Sequence, residues 1–241
     1  MKKPLTWILL ALALSLLLLV ARFPAGLAAR FLPTDIALAG LEGSLWQGRA
    51  TALGYKGIVA QQKLAWQFQP GALFKGQLAW ALQSEHAGRP GKLRAVLGFR
   101  GPVIEGLELS LPLEPLTQFN PTLAGVRLRG DLFVQSERLT RGEPINVSGR
   151  IEHVSSAMAG EVTSLGSYQF RVTANAAGAG AIELSHLSGT LHAQGGGSFD
   201  LAKNKAKLDL RFKPEADLPG LSPVLATLPR DGDSYLLSYP R

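Results

Sequence analysis

Lys205 to Lys213, KAKLDLRFK, alternates without a break: Ala206, Leu208, Leu210 and Phe212 fall on one side, Lys205, Lys207, Asp209, Arg211 and Lys213 on the other. A period of two belongs to an extended chain with one packed and one wet face, which is a strand of an antiparallel sheet. The period recurs at Val126 to Val134, where Val126, Leu128, Leu132 and Val134 oppose Arg127, Arg129 and Asp131, with Phe133 as the apolar exception on the polar side. Tyr168, Phe170, Val172 and Ala174 alternate with Gln169, Arg171 and Thr173 in the same way. Leu64 to Phe68 and Leu78 to Leu82 share a parity across a Pro70-Gly71 turn, which predicts adjacent strands whose Trp66 and Trp80 face one core. With 27 Gly and 15 Pro, the chain is interrupted too often for long helices in this part. The expected fold is mainly β, an antiparallel, curved sheet, either barrel-like or an open trough, since both use the same alternation.

A large apolar residue, any residue, Gly, any residue and a second large apolar residue recur at Leu41–Leu45, Phe74–Leu78, Leu128–Leu132, Val147–Ile151 and Leu187–Leu191. On a strand the two apolar residues and the Gly share a face, and the missing side chain admits a close neighbour or a bend. Gly178 to Gly180 and Gly195 to Gly197 read as loops between strands. The Pro-fenced stretches Leu113 to Phe119 and Leu221 to Leu228 read as connectors, single helical turns or loops.

Leu5 to Ala21, LTWILLALALSLLLLVA, is an apolar run whose polar members, Thr6 and Ser15, can bond back to a helix. At about 1.5 Å per residue it spans about 25 Å, enough with its flanks to cross a bilayer once. Lys2 and Lys3 precede it and Arg22 and Arg30 follow, a modest bias for a cytoplasmic N-terminus. The expected organisation is a cytoplasmic N-terminus at 1–4, a transmembrane helix at 5–21 and one periplasmic β-rich domain at 22–241. A cleavable signal peptide ending near Leu27-Ala28-Ala29 is the competing reading, disfavoured by the length of the run and by Arg22 directly after it. Either reading exports the domain.

The net charge is +7, of which Lys2 and Lys3 supply two, and the remaining cations are scattered through alternating strands. No basic block with interleaved aromatics is present, so no nucleic acid is expected as a partner. There is no Cys, hence no disulfide, thiolate metal site or thiol nucleophile. His86, His153, His186 and His192 have no ligand spacing; on one continuous strand His186 and His192 would lie about 20 Å apart. They read as solvated surface residues. Gly196-Gly197-Ser198-Phe199-Asp200 fails the nucleophile-elbow pattern at its last position, and Gly178-Ala179-Gly180 runs into a strand without the third Gly of a dinucleotide loop. Asn146-Val147-Ser148 matches the three-residue glycosylation acceptor pattern and is given no weight. The basic face of Lys205 to Lys213 reads as a solvated strand face that also discourages edge pairing, rather than a site for an acidic surface or lipid headgroups. The expectation is a protein that is not an enzyme, with no catalytic residue, cofactor, metal or small-molecule substrate.

Gly43-Ser44-Leu45-Trp46-Gln47-Gly48, followed by Trp66-x-Phe68-x-Pro70-x-x-Leu73-x-x-Gly76-x-Leu78, resembles the protein N family of the bacterial type II secretion system. Asp231 to Ser238, DGDSYLLS, is similar to that family's closing strand. Gly43, Ser44, Leu45, Trp46, Gly48, Trp66, Pro70, Leu73, Gly76 and Leu78 thus stand as family-motif residues with a structural role. The resemblance implies an accessory inner-membrane component of the machine that exports folded periplasmic proteins across the outer membrane. Its implied partners are other components of that system and the inner membrane; no catalytic or ligand residue comes with it. The glycine-punctuated strands also look like AsmA-type envelope proteins, which supplies the alternative of a periplasmic lipid or hydrophobic-ligand binding protein. Leu128, Leu132, Leu208 and Leu210 would then line a trough.

Overall fold

The computed structural model of the protein describes residues 3–30, 32–114, 126–157, 162–216, 218 and 221–239. Helix α1 (Lys3–Ala21) leads into a short helix α2 (Ala25–Ala29). The described large side chains of α1, among them Trp7, Leu12 and Leu19, are exposed. Some of its side chains lie outside the described set, and among the described residues no helix is long and apolar enough to cross a membrane.

The strands are β1 (Ile36–Ala39), β2 (Glu42–Gly43), β3 (Gln47–Tyr55), β4 (Ile58–Phe68), β5 (Leu78–His86), β6 (Arg89–Gly98), β7 (Gly101–Pro112) and β8 (Leu128–Thr140). They continue as β9 (Ile145–Ser156), β10 (Thr163–Ala174), β11 (Ala179–Ser188), β12 (Leu191–Asp200), β13 (Lys205–Pro214), β14 (Arg230–Asp231) and β15 (Ser234–Tyr239). All belong to a single antiparallel meander in which each strand from β4 to β12 pairs with its two chain neighbours. Among the described residues β1 at one edge and β14 at the other do not meet, so the sheet is an open trough and not a closed barrel. Both edge strands are very short, four and two residues, which limits the unpaired backbone they offer.

Residues paired across a ladder share a face, so the register shows one continuous apolar side. It runs from Trp66, Leu82 and Leu93 on β4–β6 through Leu111, Leu132, Ile151 and Tyr168 on β7–β10. Phe170 and Leu184 carry it on to Phe212 and Tyr235 on β13 and β15. The sheet curls towards that face: the Gln61 side-chain amide on β4 donates to the Ser110 carbonyl on β7, across two intervening strands. Backbone irregularities produce the curl. Lys63 on β4 and Gly106 on β7 both have positive φ, +48° and +58°, and the register slips beside each.

Leu218 and residues 221–228 lie on the inner face near β10–β13. Leu218, Leu221 and Leu225 are buried there against Leu113, Val154, Leu165, Tyr168, Leu191 and Ala193, the largest core among the described residues. The stretch from Leu221, expected as a connector, does hold one helical turn, α3 (Ser222–Leu225), and it covers the core. Of the other connector, residues 115–119 lie outside the described residues.

Two further expectations are corrected. Gly195 to Gly197 is the middle of β12 and not a loop: it pairs with Leu184 to Ile182 on β11 and Leu210 to Leu208 on β13. A Cβ on Gly196 would stand 2.7 Å from the Ile182 carbonyl oxygen, so the close approach of the strands, and not a turn, requires the missing side chain. The link between β4 and β5 is a 3-10 helix, Pro70–Lys75, and longer than a Pro-Gly turn. Its last residue is followed by Gly76 in the left-handed region, φ +67°, and Phe74 stands fully in solvent at 95 % exposure, while the expected shared parity of the two strands holds, with Trp66 opposite Leu82 and Phe68 opposite Trp80.

Candidate functional site

The recurrent motif residues assemble where the N-terminal segment meets the sheet. Gly43 (φ +93°) ends β2 and opens a tight turn closed by the Ser44 amide donating to the Gln47 carbonyl at 2.8 Å. The Ser44 hydroxyl accepts from the amides of Trp46 and Gln47, each at 3.2 Å, a side-chain-stabilised turn. This turn fixes four contacts with the preceding chain and the neighbouring strands. The Leu45 amide donates to the Phe23 carbonyl at 2.9 Å, and Trp46 Nε1 donates to the Val20 carbonyl at 2.7 Å in the last turn of α1. The indoles of Trp66 and Trp80 reach back, donating to the carbonyls of Ser44 and Leu45 at 3.0 Å each.

Gly48 explains the spacing of the motif. A Cβ there would collide with the Trp66 ring, whose Cε2 lies 2.8 Å from the position it would take, so Trp66 can lie flat across β3 only above a glycine. Trp46 stacks on Trp80 with centroids 6.4 Å apart and meets Phe68 edge-on at 4.8 Å. Gly43, Ser44, Leu45, Trp46, Gly48 and Trp66 are therefore one built unit. Pro70, Leu73 and Gly76 are not part of it. They belong to the β4–β5 connection, with Leu73 exposed, and Leu78 opens β5.

Beside this unit lies an apolar groove of about 370 Å3. Ala25 and Ala29 of α2 form one wall, Leu41 and Leu45 another, and Trp66 and Leu82 the floor. Because the indoles of Trp66 and Trp80, which both line it, turn their N–H groups onto backbone carbonyls, the groove presents almost entirely carbon. Helix α2 was not anticipated, since five residues of Ala, Gly and Leu carry no period that separates them from the apolar run before them.

A second cluster overturns the reading of the histidines as separate surface residues. The chain bends at Gly189-Thr190, so His186 lies near the end of β11 and His192 near the start of β12, and their rings stack with centroids 3.8 Å apart. The 20 Å expectation assumed one continuous strand. His186 also meets the Tyr168 ring at 5.9 Å, and its Nε2 is enclosed without a hydrogen-bond partner among the described residues. His192 Nε2 lies 2.7 Å from Glu215 Oε1. Burial pushes the Tyr168 hydroxyl up to about 12, and the hydroxyl donates to the Leu191 carbonyl at 2.8 Å. The turn signal was visible inside the glycine motif Leu187–Leu191, read there as a strand. Among the described residues no three His, Asp or Glu side chains are grouped to hold a metal ion.

The fold and this joint define a class: an open antiparallel trough with an apolar inner face, headed by an apolar helix that is tied to it through a tryptophan-rich turn. Residues 34–236 match the family described as "Type II secretion system (T2SS), protein N", and the chain belongs to that family. It is 27 % identical over 206 residues to the type II secretion system protein N of Vibrio cholerae serotype O1, covering 83 % of this chain and 81 % of the relative. No solved structure matches the chain.

Proposed function

We propose that this protein is an accessory, non-enzymatic component of the type II secretion system, held in the inner membrane by α1 with residues 22–241 in the periplasm. It acts through contacts with other components during export of folded proteins across the outer membrane. The observation that carries the reading is the family match across almost the whole sheet. Membrane insertion is supported by the apolar run from Leu5 to Ala21 and by the exposure of the described α1 side chains, which find no protein partner. The convex face of the trough suits protein contacts: Gln67, Lys207 and Arg211 are exposed there, on the side opposite the apolar residues.

A photoreactive residue at each of those three positions, with crosslinking in intact membranes, tests the proposal. Capture of secretion-system subunits is expected, and capture of none of them at any position argues against it. Unchanged secretion and unchanged recovery of the complex after gene deletion would exclude a required role. A second reading, binding of a hydrophobic ligand, is favoured by one observation: Leu208, Leu210, Ile182 and Phe170 on the inner face remain half-exposed.

A further inference from the structure

We infer that the groove between α2 and strands β4–β6 is a binding site for one acyl chain of a membrane phospholipid. The inference rests on the reading of α1 as the membrane anchor. Its chemistry is set by the lining. Ala25, Ala29, Leu41, Leu45, Trp66 and Leu82 offer no free donor or acceptor, because the Trp66 and Trp80 indoles are already bonded to Ser44 and Leu45. A polar ligand or an extended peptide would have to bury unpaired groups there, whereas a hydrocarbon chain loses nothing. The volume of about 370 Å3 lies within the range of about 300–1,000 Å3 of small-ligand sites.

Position selects the source. Helix α2, one wall of the groove, begins four residues after α1 ends, and the bond from Trp46 to Val20, with that from Leu45 to Phe23, holds the groove against the end of the anchor. A trough so placed opens at the bilayer surface, where the available hydrocarbon is lipid. Charge agrees with this. Arg22 and Arg30 flank α2, both are exposed, and neither forms an ion pair with a described residue, so two cations stand free for a phosphodiester beside a groove for its chain. Leu27 between them and Leu32 just after Arg30 are also exposed, which continues the apolar surface from the groove towards the membrane.

The test uses the full chain in vesicles of phosphatidylethanolamine and phosphatidylglycerol doped with a phospholipid bearing a diazirine midway along one acyl chain. After photolysis, labelled peptides are mapped by mass spectrometry. Label is expected on α1 and on the groove residues Leu41, Leu64 and Leu82. In Ala29→Trp, which fills the groove, groove label should fall by about tenfold, the equivalent of two buried methylenes, while α1 label is unchanged. Arg30→Glu, at an exposed position without a described ion-pair partner, should lower groove labelling from the anionic lipid without altering the melting curve. Label on α1 with none in the groove overturns the lipid site and leaves the anchor standing; absence of label on α1 overturns the anchor itself. Groove label indifferent to Ala29→Trp, or groove crosslinks to a peptide or a second copy in place of lipid, also overturns the proposal.

Discussion

The indole of Trp46 lies nearly parallel to that of Trp80, planes 12° apart and centroids separated by 6.4 Å, while its Nε1 reaches the Val20 carbonyl at 2.7 Å. One side chain thus joins the aromatic patch of the sheet to the end of α1. Trp46→Phe keeps an aromatic ring and removes the donor. The expected result is a loss of about 1 kcal/mol, the net contribution of one hydrogen bond, with faster amide exchange confined to residues 20–30. Trp46→Ala removes the stacking as well and should cost about 3–5 kcal/mol by thermal or urea melting. Equal melting of the two variants would mean that the bond to Val20, and not the ring, carries the joint.

Gly48→Ala is expected to be among the most disruptive alanine substitutions in the chain, because the added carbon would meet the Trp66 ring and the Glu42 carbonyl. Overpacking of this kind costs about 1–3 kcal/mol and should shift tryptophan emission as Trp66 is displaced. Gly26→Ala is the contrast. A Cβ there meets nothing within 4 Å, and the residue lies inside α2, so stability should rise by about 0.5–1 kcal/mol.

The strands were legible because alternation is local: Leu208, Leu210 and Phe212 are half-buried, and Lys207, Asp209 and Arg211 face solvent, as the period requires. The partnership of Trp66 with Trp80 was legible for the same reason, since equal parity on adjacent strands places both on one face. Parity arguments fail where the backbone leaves the extended region. At Lys63 and Gly106 an extra residue reverses the faces, and nothing in either residue type announces it. Openness was not legible either, because it depends on which strands meet across the inner face, as Gln61 and the Ser110 carbonyl do. The histidine pair was hidden by a single assumption: Gly189, with φ +113° and its Cα packed on Gly166, turns the chain where a strand was expected. In the candidate site, the motif from Gly43 to Gly48 was recognisable as a unit, but its bonds to Val20 and Phe23 depended on α2 bringing the chain back, and no residue pattern marks that return.

Phe133, the apolar residue on the polar side of β8, is covered by Arg89, whose guanidinium carbon sits 4.2 Å from the ring centroid. Both terminal nitrogens of Arg89 also donate to Glu152 Oε2 at 3.2 Å. The planar fork can stack and bond at once, which an ammonium cannot do as well. Arg89→Lys is therefore expected to cost about 0.5–1 kcal/mol despite conserving charge. In Phe133→Thr the same Arg89→Lys change should cost less, since the ring contact is already gone; a double-mutant cycle with urea melts measures the difference, and strict additivity would deny the stacking contribution.

Tyr168 makes stability depend on alkaline pH in a direction fixed by its burial. Its hydroxyl titrates at about 12 in the folded protein against 10.0 when free, so the folded state holds the proton more tightly. The stabilisation is fully present below pH 10, the unfolded value, and is lost progressively as pH rises towards about 12. Deprotonation would place a charge beside the Leu165 and Leu191 carbonyls, which accept from the hydroxyl at 3.3 and 2.8 Å and could not do so from a phenolate. Tyr168→Phe should cost about 1 kcal/mol at neutral pH through the lost hydrogen bond. The same variant should unfold less steeply with pH above 10, so the two melting curves converge as pH rises. Melting temperatures recorded across that range decide the matter: curves that stay parallel would show that the alkaline loss arises elsewhere than at this tyrosine.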